Sequence, residues 1–134
     1  MKVKLDNVVN SLYMVNNTTE YYYNPIKGEF FSSNIGDYEN LSEDDLEDLF
    51  ENNIILPTYY EINEHKMMSD FISSIKKDNQ KEELYNLIIG KIAFRKFKDA
   101  FIKFNIINDW YKYMNEEYRK VAIMWCNKNR IEFK

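Results

Sequence analysis

The strongest constraint on the fold of this chain is a stripe of phenylalanines in its second half. Ala93, Phe94, Phe97, Ala100, Phe101 and Phe104 recur at three- and four-residue intervals, while Arg95, Lys98 and Asp99 fall between them. That spacing describes one apolar face of an α-helix with charge on the other. A face of four phenylalanines must be covered, and the two alanines let a neighbouring helix come close. The bulky partners downstream are Trp110, Tyr118 and Trp125, on one face of a long helix predicted to open at Asn108 or Asp109. The expectation is a helical C-terminal half whose core is centred on the phenylalanines.

The first half reads differently. Thr19–Tyr23 and Glu29–Ser33 are aromatic and β-branched, and Asn24-Pro25-Ile26-Lys27-Gly28 lies between them. Asn24 starts a turn, Pro25 presets its φ, and Gly28 accepts a left-handed exit, so the segment predicts a β-hairpin. Ile54-Ile55-Leu56 before Pro57 predicts a short strand that joins it. Leu5, Val8, Val9, Leu12 and Tyr13 predict an N-terminal helix capped by Asp6 and ended at Asn16-Asn17. Ser42, with Asp45 three residues on, predicts a capped helix that buries Leu46, Leu49 and Phe50. Two further helices are expected. One runs from about residue 61 to 75 with Met68, Phe71, Ile72 and Ile75 inward; the other is capped by Asp78, turns Leu84, Leu87 and Ile88 inward and is terminated by Gly90. The tail Arg130–Phe133 alternates like a strand. The fold class is therefore α+β: a small antiparallel sheet, a hairpin plus one or two short strands, packed with five to six helices in a single domain over residues 1–134.

Composition removes many chemistries. One cysteine, Cys126, excludes an intramolecular disulfide and a cysteine zinc cage, and the one histidine, His65, removes most metal and triad chemistry. Three glycines and two prolines leave no phosphate loop. No cofactor or metal is expected. The apolar runs fall far short of the roughly 20 residues of a membrane helix. No apolar stretch follows the basic start Met1-Lys2-Val3-Lys4, so the expectation is a cytoplasmic protein with no membrane segment. A net charge of −4 confines any nucleic-acid contact to a local basic patch.

Several of these segments together resemble a family. Tyr21-Tyr22-Tyr23, Gly28-Glu29, Leu56-Pro57, Met68-x-x-Phe71, the run Gly90–Asp99 and Trp110-Tyr111 occur in an order similar to that of the bacterial uncharacterised protein family UPF 0158. The sequence departs from the family pattern at Ile92 and in its C-terminal tail. The resemblance implies one domain in the cytoplasm. It implies no activity.

The candidate binding residues are surface residues. Asp37 to Glu51 contains eight acids and no base, with Asp44, Asp45 and Asp48 at its centre. These acids complement a helix N-terminus and present an acidic surface to a basic partner. Their spacing lacks the ligand alternation of a calcium loop. Arg95, Lys98 and Asp99 form a charged helix face that also holds Ile102, and Arg119 belongs to a second basic cluster. The first reading is a non-enzymatic interaction protein that presents separate acidic and basic surfaces to an unidentified protein partner. The alternative is a nucleic-acid-associated or small-ligand-processing factor that uses Arg95, Lys98 and Asp99 in a cleft. His65 and Cys126 are expected to be structural.

Overall fold

The computed structural model describes residues 2–34, 41–89 and 94–134, the side chains of Asp48, Leu49, Ile89, Phe94 and Arg95 excepted. Gly90, Lys91 and Ala93 of the phenylalanine segment lie outside the described residues, as do Asp37 and Glu39 of the acidic run. The chain forms two compact units, Met1–Ile62 with Tyr118–Lys134, and Asn63–Glu117. Among the described residues the secondary structure is α+β: a three-stranded antiparallel sheet, six helices of ten or more residues and one four-residue helical turn, with a helical C-terminal half.

In the first unit, α1 (Leu5–Met14) buries Leu5, Val8, Val9 and Leu12 as its periodicity demands. Its N-cap is Lys4, not Asp6, and no side chain caps it. The cause lies outside the helix. Val3 N–H and Leu5 N–H donate to the carbonyls of Glu132 and Lys134, and Lys134 N–H returns a bond to Val3. The tail thus holds the chain extended up to Lys4, and the helix starts two residues early. The tail itself forms one parallel bridge, Val3 with Phe133, and is not a strand of the sheet.

The hairpin forms as predicted, β1 (Tyr21–Asn24) paired with β2 (Glu29–Ser32). The Asn24 side chain accepts from Ile26 N–H and Lys27 N–H, Gly28 N–H bonds back to Asn24 O, and Gly28 has φ 66°. β3 (Ile54–Ile55) pairs antiparallel with β1, giving the order β2-β1-β3. Tyr23 is buried on this sheet, with its ring 4.9 Å from Phe30 and edge-on to Trp125. Burial raises the Tyr23 hydroxyl pKa, and the nearby Cys126 adds to the rise. Trp125 Nε1 donates to Ile55 O at 2.8 Å, so an indole satisfies a carbonyl of edge strand β3.

α2 (Glu43–Asn52) starts as its sequence requires: Ser42 Oγ accepts from Asp45 N–H, and Ser42 O accepts from Leu46 N–H. The helix predicted over 61–75 is broken. A single turn, α3 (Tyr59–Ile62), is followed by Asn63 in the left-handed region at φ 53°. The Asn63 side chain then caps α4 (Glu64–Ser73) by accepting from Lys66 N–H. One residue therefore ends one helix and starts the next, at the first residue of the second unit.

The second unit comprises α4, α5 (Asp78–Ile89), α6 (Phe94–Lys103) and the start of α7 (Ile107–Lys128). Its core is aromatic. Phe101 lies 5.5 Å from both Phe71 and Trp110, and Phe97 packs beside Phe101. Phe104 is only half-buried. Phe71 on α4 is thus a main partner of the stripe, together with the expected Trp110. Tyr118 and Trp125 belong to the first unit, where Tyr118 stacks on Tyr13 at 4.1 Å. Asn105, at φ 57°, ends α6: its N–H bonds to Ile102 O, and Ile106 N–H reaches Phe101 O at 2.8 Å.

Candidate functional site

The acidic helix carries the most distinctive surface of the first unit. Its ten residues, EDDLEDLFEN, contain no base. Glu43, Asp44, Glu47 and Glu51 are exposed. Asp45 is engaged, since its carboxylate lies 3.3 Å from Lys27 Nζ. Bonds from Lys27 and then Ser42 hold its carboxyl pKa below the usual value. The Asp48 side chain lies outside the described residues.

Phe50 corrects the expectation of a buried stripe. It is 77% exposed, in the middle of this acidic surface. Glu43, Glu47 and Phe50 are spaced i, i+4, i+7, which places an aromatic ring and two carboxylates along one side of the helix. With three apolar residues spaced 46, 49, 50, the sequence shows that a face exists. It does not show which member lies at its uncovered margin.

The charged face of α6 belongs to the second unit. Lys98 is half-buried, and its Nζ sits over the Tyr111 ring at 5.7 Å. Asp99 is exposed, and Ile102 is 61% exposed among these polar neighbours. The Arg95 side chain lies outside the described residues. The principal cavities among the described residues are lined by none of Lys98, Asp99 and Ile102. Arg119, in the first unit, bonds to Asp6 at 3.1 Å, an exposed pair of the kind that contributes about 0–1 kcal/mol.

The first unit also holds an apolar cleft of about 430 Å³ between β3 and the last turns of α7. Ile55, Val121, Met124 and Trp125 line it, with Glu61 and Lys128 as its charged members. Its lining suits an apolar group and offers no arrangement for acid–base chemistry. Cys126 is fully buried, and burial raises its thiol pKa, the opposite of what a nucleophile needs. His65 is exposed. Among the described residues no three His, Cys, Asp or Glu side chains are grouped to hold a metal ion. Also among them, no helix is long and apolar enough to cross a membrane.

Comparison with known proteins gives a family and no activity. The family model described as "Uncharacterised protein family (UPF0158)" matches residues 1–134. A UPF0158 protein of Pseudomonas aeruginosa is 28% identical over 67 residues, which is 49% of this chain and 44% of the relative. The match therefore spans less than half of that relative's length. No solved structure matches.

Proposed function

We propose that this chain, which belongs to the uncharacterised protein family UPF0158, is a non-catalytic interaction module that docks a basic protein segment on the exposed side of α2. The observation that carries the reading is Phe50, 77% exposed on a helix whose charged residues are all acidic. An aromatic ring supplies apolar anchoring area, and surrounding carboxylates steer and orient a partner of opposite charge. Lys27 pairs with Asp45, and Glu43, Glu47 and Glu51 are exposed and form no ion pair among the described residues. The partner is then a protein segment with an apolar pocket or side chain flanked by Lys or Arg. A cytoplasmic location is part of the same proposal.

The test is affinity capture with the full chain and three variants: Phe50→Ser, the pair Asp44→Asn and Asp48→Asn, and Met124→Ser in the apolar cleft. The reading expects a basic protein that is lost with the first two, weakened by salt, and kept with the third. Capture that ignores Phe50 and the acids, or that depends on Met124, refutes it.

A second reading rests on the Lys98–Tyr111 pair, which places a cation and an aromatic ring side by side beside exposed Ile102. Such a pair suits a local contact to nucleic acid through the Arg95, Lys98 and Asp99 face. Retention on RNA or DNA at low salt, weakened by Lys98→Glu, favours it. No retention at low salt ends it.

A further inference from the structure

The first unit has a polar pocket of about 310 Å³, separate from α2 and from the apolar cleft. It brings together the segment after α1, Asn16–Glu20, with Ser33 at the end of the hairpin and Thr58–Tyr60. Its chemistry is unlike that of the other cavities. The described lining consists of amides, hydroxyls, one carboxylate and two tyrosines, with no cationic side chain.

The wall is held in shape by its own bonds. Asn16 and Thr19 form an antiparallel bridge, and Asn16 Oδ1 accepts from Thr18 N–H and Thr18 Oγ1. Glu20 N–H donates to Ser33 Oγ, and Ser33 N–H donates to Glu20 O. These bonds order the backbone of the wall, and polar groups of exposed side chains are left over. Among the described residues, Asn16 keeps its amide N–H₂, and Glu20 keeps one carboxylate oxygen, the other accepting from the Tyr22 hydroxyl. The Asn17 side chain and the Tyr60 hydroxyl make no hydrogen bond with the described residues. Tyr59 and Tyr60 meet edge to face at 5.3 Å, and Tyr60 is 76% exposed. An aromatic surface therefore stands in water beside uncommitted donors and acceptors.

A ligand that matches this wall has an apolar C–H face for the tyrosine and a rim of hydroxyls that both donate and accept. A phosphorylated ligand needs a cation, which the described lining lacks. A purely apolar ligand would strip water from the amides and Glu20 without replacing it. The volume lies at the small end of the roughly 300–1,000 Å³ typical of ligand sites, the size for one ring. We propose that this pocket binds a neutral saccharide, one sugar ring stacked on Tyr60 with its hydroxyls bonded to Asn17 and Glu20.

The test is saturation-transfer NMR on the full chain with glucose, galactose, N-acetylglucosamine and ribose, paired with amide shift mapping. The expected result is transfer to the ring protons of at least one sugar, with shifts centred on residues 16–20 and 58–60. Tyr60→Ala should weaken that binding about two- to tenfold, the range for one aromatic contact, and Tyr60→Phe should preserve most of it. Tyr60 is exposed, so both variants should fold, and their amide spectra verify it. Three outcomes overturn the proposal: no transfer to any of the four sugars, transfer unchanged in Tyr60→Ala, or shifts at these residues produced by inorganic phosphate and not by sugar.

Discussion

α2 and α6 are both ten-residue helices with an amphipathic sequence, and they end in opposite circumstances. In α6 the centre of the apolar face is covered: Phe97 and Phe101 are buried beside each other, and Phe101 packs against Phe71 and Trp110. In α2 the phenylalanine is in water, and the helix is fixed at its start by Ser42 and by the Lys27–Asp45 pair. Periodicity alone does not separate the two, because it reports that an apolar face exists and not what meets it. Tertiary burial explains why α6 is a structural element. Its absence at Phe50 is what makes α2 a candidate for recognition.

The comparison breaks most directly by truncating one ring in each helix. Phe101→Ala should cost about 3–5 kcal/mol, because it leaves a cavity among aromatic neighbours. Phe50→Ala should stay within about 0.5 kcal/mol, as exposed positions do. Urea unfolding of both variants measures the difference. Similar losses would mean that Phe50 is covered in solution and that α2 is a core helix like α6.

The helix ends sharpen the contrast at smaller cost. α6 stops at Asn105 in the left-handed region, where Asn105→Ala should lose about 1–2 kcal/mol and Asn105→Gly should be tolerated. α2 depends on its beginning instead. Ser42→Ala should cost about 1 kcal/mol, read chiefly as faster hydrogen exchange in α2 with α6 unchanged. Equal protection of α2 in wild type and variant would remove Ser42 as its anchor.

These differences also explain what was legible beforehand. The hairpin was readable because its information is local: Asn24, Pro25 and Gly28 specify one turn within five residues, and the structure uses Asn24 and Gly28 as expected. The Ser42 cap was readable for the same reason. The break at Asn63 was not, since it rests on the left-handed φ of one asparagine, which the spacing of the apolar residues does not mark. The start of α1 at Lys4 was not, because it depends on bonds to Glu132 and Lys134 at the far end of the chain. Among the candidate residues, the acidic run was legible as charge, and the exposure of Phe50 within it was not. The polar pocket left no pattern at all, since its wall is drawn from three separate segments.

The smallest expected effect concerns the Asp45 carboxyl at the start of α2. The Asp45 pKa is lowered by Lys27 first and Ser42 next, so at mildly acid pH the unfolded chain binds a proton there more readily than the folded one. Its contribution is therefore complete above the ordinary aspartate value and fades as pH falls through the lowered one. Both partners are partly exposed, so salt should screen the pair. Asp45→Asn should reduce the acid-induced loss of stability slightly, at low salt only. The measurement is the urea midpoint at neutral and acid pH, at two salt concentrations. If Asp45→Asn and wild type respond identically to acid at low salt, the Lys27 contact does not hold the start of α2. The helix would then rest on Ser42 alone, and its hold would be weaker still than that of α6.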